Sequence, residues 1–384
     1  MKENEFKGHI AGSVRWGANG SYCYFCPNDL PFELPDDPEL RKELNLTLVA
    51  LSRLDGKVSQ MSPEERDVLR MNFSLKESTM SSSIEGTVST LDDVYLSEKV
   101  PEKTEREAYD NKEIRNYKNA LDCGFRMIGS NRKISDSMIR ELHAELMKGV
   151  RGSEKSPGEY KTEQNAIGSY GDTLSSARMV PASPASVPHL IENWVSYVNS
   201  DSDVLVKVAV SHYQFEVIHP FRDGNGRIGR LMIPLILYDA DILHYPILYL
   251  SEYFNSHRKE YLDGLFNVSS RDMFREWVLF VSKALRTQAE ASSVAIDKLQ
   301  NYRRSLTENE QNANIIHTAE LLFKNPYITS EDIVLSLKVS APTANKILRK
   351  LEERGIIREI TGKERNRVYR ADDIMEILQN NGMV

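Results

Sequence analysis

Helix-start signals recur along this chain, and they leave little room for any architecture that is not mainly α. In Ser62-Pro63-Glu64-Glu65, Ser62 can cap, Pro63 fits the first helical position, and Glu65 can reach back to close a capping box. Thr90 with Asp93 and Thr104 with Glu107 repeat the pattern. Ser135 opens a helix whose apolar face carries Ile139, Leu142, Leu146 and Met147, and Val187, Leu190, Ile191, Trp194, Val195 and Val198 form another after Pro184. The stretch from Ser156 to Val180 is different: its glycines and the alternation between Tyr160 and Ile167 predict a short β-hairpin between helices.

With 384 residues, two or three domains are expected. The boundaries read as an N-terminal helical module over 1–103, a helical core over 104–285, a polar helical connector over 286–312 and a compact module over 313–384. A net charge of -7 argues against a protein coated in nucleic acid, but not against a local basic face. Cys23 and Cys26 form a lone C-x-x-C with no second pair to complete a zinc site, so they read as inert thiols. The polar N-terminus lacks a signal peptide's apolar core, and Pro234, Asp239, Asp241, His244 and Pro246 interrupt the greasiest stretch, Leu231 to Leu250. A cytoplasmic protein without a membrane partner is the expectation.

The chemistry is concentrated in His219-Pro220-Phe221-Arg222-Asp223-Gly224-Asn225-Gly226-Arg227-Ile228-Gly229-Arg230. A helix ending near Val217 leads in, and an apolar helix from Ile228 to Tyr238 leads out. Gly224 and Gly226 let the backbone turn sharply and approach a ligand. Free N–H groups at the following helix start make an anion site. Arg227 and Arg230, three apart, can face the same phosphates. Asp223 supplies a hard oxygen suited to Mg²⁺. His219 can take a proton from an attacking hydroxyl at neutral pH. Base, metal ligand and phosphate clamp together suit in-line transfer from a nucleotide.

These residues resemble the motif of the Fic (Fic/Doc) family, HPFx(D/E)GNGRxxR, without departure. The resemblance implies a Fic-type helical core and adenylylation of a target Ser, Thr or Tyr, with ATP and a protein as partners and Mg²⁺ as cofactor. It makes His219 the base, Phe221 the loop's anchor and Asp223 the metal ligand. Gly224, Asn225, Gly226, Arg227, Ile228, Gly229 and Arg230 become the ATP and phosphate contacts, with Arg230 on the γ-phosphate. The hairpin becomes a target-docking flap carrying Gly158, Tyr160, Lys161, Ile167 and Gly168, and the segment 251–257 is placed near the adenine. UTP or CDP-choline as donor, or a nucleotide-sensing DNA-binding regulator, are the rival readings.

Ser81-Ser82-Ser83-Ile84-Glu85-Gly86 ends the helix that begins at Ser62. Small serines let a helix end press against another surface, and Gly86 can stop the helix with Glu85 on its last turn. The run resembles the inhibitory motif of the self-inhibited Fic class, (S/T)xxxE(G/N). That resemblance implies that Ser81, Glu85 and Gly86 form a brake in which Glu85 pairs with Arg230 and denies it to the γ-phosphate. It further implies that Glu85 can assist the reverse reaction, AMP removal.

From Asn314 on, the pattern is that of a winged helix: Ile315 to Phe323, a helix capped by Ser330, a third after Ser340 with Ala344, Ile347, Leu348 and Leu351 buried, then strands near Thr361 and Val368. Lys346, Arg349, Lys350, Arg358, Lys363, Arg365, Arg367 and Arg370 make its third helix and wing basic, which fits DNA, and docking or a homodimer is the rival use. His143 and His212 sit among apolar neighbours and read as packing histidines.

Overall fold

The computed structural model describes residues 1–17, 20–35, 37–168, 171 and 173–380. An antiparallel hairpin of β1 (Gly12–Trp16) and β2 (Cys23–Pro27), with Val14 opposite Phe25, opens the chain. Then follow α1 (Pro38–Ser59), α2 (Pro63–Ile84), α3 (Leu91–Ser97), α4 (Glu105–Gly129) and α5 (Asp136–Leu146). After a long irregular segment come α6 (Val187–Val198), α7 (Val204–Ile218), α8 (Asn225–Asp239), α9 (Ser251–Ser256), α10 (Arg258–Arg271) and α11 (Phe274–Thr307). The last part holds α12 (Ala313–Lys324), β3 (Tyr327–Thr329), α13 (Ser330–Leu337), α14 (Ala341–Glu353), β4 (Arg358–Glu359), β5 (Val368–Arg370) and α15 (Asp372–Asn380).

The three anticipated capping boxes form in both directions, at Ser62 with Glu65, Thr90 with Asp93 and Thr104 with Glu107. Each satisfies two orphan N–H groups of a helix start. In the last module the cap of α13 is Thr329 rather than Ser330, because Asp332 and not a later residue closes the box.

The core is built round α7 and α8, which are buried on nearly every face. Val208, Ala209, Tyr213, Phe215, Ile228, Leu231 and Leu235 are all fully enclosed, which is the pattern of a central helix rather than an amphipathic surface one. Trp277 on α11 fixes that helix to α7 by donating from its indole to the Ala209 carbonyl at 2.7 Å. The expected change from core to connector at 285–286 has no counterpart in the backbone: α11 runs through it unbroken. Its buried stripe continues through Leu285, Ala289, Ala295, Ile296 and Leu299, packed along α1. A helix that looks polar by composition keeps one apolar edge, and that edge suffices.

The C-terminal module has the expected helices and wing, with β3 added to a sheet of order β3-β5-β4. It is docked on the N-terminal module. Asn72 of α2 donates to the Phe323 carbonyl at 2.8 Å, Asp92 of α3 pairs with Arg370 at 2.9 Å, and Lys99 pairs with Asp332 at 2.7 Å. Among the described residues no helix is long and apolar enough to cross a membrane.

Candidate active site

The loop after α7 begins with a departure from ordinary backbone. His219 caps α7 in the left-handed region (φ 49, ψ 59), uncommon for a residue with a side chain and a conformation that neighbours must enforce. Four features enforce it. Phe221 is wholly buried, stacked on His143 with ring centres 3.7 Å apart and tilted against Tyr160. The Asn225 amide closes the turn, accepting from the Phe221 N–H at 2.8 Å and donating to its carbonyl at 2.9 Å. His143 accepts from the Gly158 N–H at 2.8 Å through Nδ1, so its Nε2 carries the proton it donates to the Asp223 carbonyl at 2.9 Å. Finally, Lys161 and Asn165 hold the loop's carbonyls from the other side.

α8 starts at Asn225, three residues earlier than its apolar run suggests, with Gly224 (φ 75) before it. The first N–H groups of a helix have no partner within it, so those of Asn225, Gly226 and Arg227 are placed for an anion. Gly226 must lack a side chain here. A Cβ would lie 2.3 Å from Glu85 Oε1 and 2.9 Å from Arg230 Nη1.

His219, Gly226, Arg230, Glu85 and Glu216 line one cleft of about 600 Å³. Its lining also includes the apolar Ile167, Met179, Leu262, Leu265 and Phe266 and the basic Arg178 and Arg258. No residue of 251–257 lines it; the wall is the next helix, α10. The imidazole is oriented for a base. Nδ1 lies 3.1 Å from the Glu216 carbonyl, which only an N–H can satisfy, so Nε2 is the free acceptor. Burial, with Lys161 adding to it, pushes the His219 pKa down to about 4.

Arg230 is buried and engaged. Its Nε donates to Ser81 Oγ at 2.9 Å, and its Nη2 to the Ser81 carbonyl at 3.1 Å and to Glu85 Oε1 at 2.7 Å. Glu85 is the cap residue beyond α2 rather than part of its last turn, and Gly86 (φ 97) turns the chain away. Burial works to raise the Glu85 carboxyl, but Arg230 outweighs it and holds the pKa below the usual carboxylate value.

Several sequence-based assignments change. Arg227 does not share a face with Arg230: it points to Met147 Sδ (3.5 Å), Asp223 Oδ1 (3.7 Å) and Glu113 Oε1 (3.9 Å) and does not line the cleft. Two of its nitrogens, Nε and Nη1, are buried without a hydrogen-bond partner. Ile228 lies in the core and Gly229 packs against Glu216, so neither offers a side-chain contact to a nucleotide. The Asn225 side chain is engaged by the turn. Gly158, Tyr160 and Lys161 face inward rather than toward a target: Tyr160 donates to Asp136, and Lys161 is buried under the loop. The hairpin shrinks to one antiparallel bridge between Ile167 and Met179, and Ile167 and Gly168 are the flap residues that reach the cleft. Residues 169, 170 and 172 of that stretch lie outside the described set.

Asp223 Oδ2 accepts from Lys155 at 2.7 Å. Burial opposes ionisation there, but the Lys155 ammonium prevails and keeps the carboxyl below its ordinary pKa. Among the described residues no three His, Cys, Asp or Glu side chains gather to hold a metal. His143 and His212 are packing histidines as anticipated, His212 meeting Tyr261 Oη at 2.9 Å. Lys155, Asn165, Glu113 and Glu216 carried no sequence signal.

The fold and cleft are those of a helical protein with a glycine-flanked helix start beside a histidine. The segment 133–237 matches the Fic/DOC family model, 42–126 the Fic/DOC family N-terminal model, and 320–358 a winged helix-turn-helix DNA-binding model. A probable protein adenylyltransferase of Aquifex aeolicus (strain VF5) is 28% identical over 211 residues, covering 53% of this chain and 54% of that one. The protein adenylyltransferase fic-1 of Caenorhabditis briggsae is 26% identical over 223 residues, 57% of this chain and 37% of the relative. The chain thus spans about half or less of these relatives' lengths. A Fic family protein from Desulfovibrio desulfuricans G20 superposes with a TM-score of 0.58 at 21% identity, over 88% of this chain and 97% of that one, and supports the fold. The chain belongs to the Fic family, in the form that carries an N-terminal helical module and a winged helix.

Proposed function

We propose that this chain transfers AMP from ATP to a Ser, Thr or Tyr hydroxyl of a protein, itself included, and that Glu85 holds it inactive. The observation that carries the reading is that His219 and Arg230 line one cleft while Glu85 occupies Arg230. In the reaction His219 Nε2 takes the hydroxyl proton, the hydroxyl oxygen bonds to the α-phosphorus, and the bond to the leaving diphosphate breaks. Burial keeps the imidazole unprotonated, and the negative charge of a bound triphosphate raises its basicity toward the range where general bases work best. The N–H groups at the start of α8 bind phosphate. Mg²⁺ suits Asp223, since that ion takes one or two carboxylates and completes its shell with phosphates and water; there it would neutralise diphosphate charge.

The brake acts on alignment. With Arg230 paired to Glu85, a γ-phosphate loses the Arg230 guanidinium, and misplacing the α-phosphate by about 1 Å costs on the order of a hundredfold. The resemblance that supplies the brake also gives Glu85 a part in removing AMP. Exposed Lys346, Arg349 and Lys350 on α14 favour DNA as a second partner of the C-terminal module.

Mass spectrometry of Glu85→Gly protein with ATP and Mg²⁺ tests the reading. An AMP adduct should appear, on the order of a hundredfold faster than with wild type, and His219→Ala in the same background should abolish it. Equal labelling of wild type and Glu85→Gly removes the brake; an adduct of another mass points to UTP or CDP-choline as donor; no adduct leaves the sensor reading.

A further inference from the structure

The stretch between Gly158 and the flap does more than connect. The carbonyl oxygens of Ile218, His219, Pro220 and Phe221, four in succession, all accept from just two residues of it. Lys161 donates from Nζ to the Ile218 carbonyl at 3.2 Å and from its backbone N–H to the Pro220 carbonyl at 2.8 Å. Asn165 donates from Nδ2 to the His219 carbonyl at 3.4 Å and the Phe221 carbonyl at 2.9 Å. The Asn165 amide oxygen in turn accepts from Lys161 Nζ at 2.8 Å, so the two side chains act as one clamp on the strained residue at its centre.

The chemistry of the clamp is unusual. Lys161 is 2% exposed, and its amine meets carbonyl and amide oxygens; among the described residues no carboxylate lies within ion-pair distance of it. Burying an ammonium without a counter-charge is costly. A clamp alone needs no charge, because a neutral amide donates to carbonyls as well. What a cation adds is a field, and the group it acts on is the imidazole next to it. The charged groups acting on His219 are Lys161 from this segment, Glu85 from the end of α2 and Asp223 from the loop; Glu216 of α7 meets the ring through its backbone carbonyl, and burial pushes its carboxyl up to about 7. The Glu85 and Asp223 carboxylates and the Glu216 carbonyl favour protonating the ring, and Lys161 opposes them.

We propose that Lys161 is a positioning residue for His219: with Asn165 it holds the loop in its left-handed turn, and its charge adds to burial in disfavouring the protonated imidazole. This rests on the reading of His219 as the base. Burial pushes the Lys161 ammonium down to about 7, so its field is full below neutrality and fades as pH rises through that value. The His219 titration falls wholly in the range where Lys161 is charged. Removing the charge must therefore move the His219 pKa up.

The test is a proton–carbon NMR titration of the full chain with labelled histidine, the His219 signal identified by its loss in His219→Ala. In the wild type His219 should titrate below its ordinary value of about 6.5; a value at or above that overturns the proposal without any variant. In Lys161→Met it should rise by about one unit. Asn165→Ala, which loosens the clamp but keeps the charge, should leave the value nearly unmoved, and a shift as large as that of Lys161→Met would mean that geometry alone sets it. An unmoved His219 in folded Lys161→Met protein would reduce Lys161 to a strut. Because this readout needs no AMP transfer, failure here is separate from failure of the enzymatic reading. Where transfer is seen, Lys161→Met in the Glu85→Gly background should shift the acid limb of kcat upward by the same amount and leave the KM for ATP within about twofold.

Discussion

Two sets of basic residues, one on the buried helix α8 and one on α14, use the same residue types under opposite conditions. Arg227 and Arg230 are both 3% exposed, so each guanidinium has lost its water and depends on what the protein offers. Arg230 has Ser81 and Glu85; Arg227 has Asp223 at 3.7 Å and Glu113 at 3.9 Å, with Nε and Nη1 short of a hydrogen bond. On α14, Lys346, Arg349 and Lys350 stand exposed. Two other arginines of that module do different work. Arg358 pairs with Asp372 at 2.7 Å, and Arg370 pairs with Asp92 of the N-terminal module. Burial, more than charge, thus separates guanidiniums that depend on fixed protein partners from a salt-screened surface.

The largest effect should follow from breaking the buried side. In the Glu85→Gly background, Arg230→Ala should lower kcat/KM for ATP on the order of a hundredfold, because a desolvated charged hydrogen-bond partner is lost from the triphosphate. Steady-state labelling against ATP concentration measures it. Raising salt from 50 to 200 mM should change ATP use by the wild-type Arg230 enzyme far less than a surface contact would allow. A drop under about threefold for Arg230→Ala would show that the phosphates are held elsewhere.

The same contrast explains what could be read from the sequence. The tight turn at 219–226 was legible because a sharp glycine-flanked turn into a helix demands particular residue types at fixed spacing, and Glu85 because it follows a run of serines small enough to seat a helix end against Arg230; that Arg227, Ile228 and Gly229 turn away from the cleft was not. The three capping boxes were legible for the same local reason. Contacts that join distant segments were not. Lys161 and Asn165 look like polar positions of a hairpin, and nothing in alternation reveals that they turn inward to carbonyls 218–221. Glu113 sits on α4 among Asn111 and Asn116, a run that reads as a solvated face; all three are buried. The β1–β2 hairpin leaves a signal in the alternation of Val14 and Trp16 and of Cys23 and Phe25, which a helical reading of 1–103 does not use.

The exposed side of the comparison breaks more gently. If α14 meets a nucleic-acid backbone, Lys346→Ala with Arg349→Ala should flatten the dependence of log affinity on log salt by about 2 for duplex DNA, in fluorescence anisotropy over a salt series. An unchanged slope, or no binding at low salt, assigns α14 to a protein surface. Arg370→Ala sharpens the point, because it removes a basic residue of the same module that faces inward. It should leave the salt slope where it was and lower the melting temperature by a few degrees, since partly buried ion pairs of this kind contribute about 1 kcal/mol. A loss of DNA affinity equal to that of the α14 variants would mean that Arg370 leaves Asp92 to reach the phosphates, and the division between docking and binding arginines would fail at that residue.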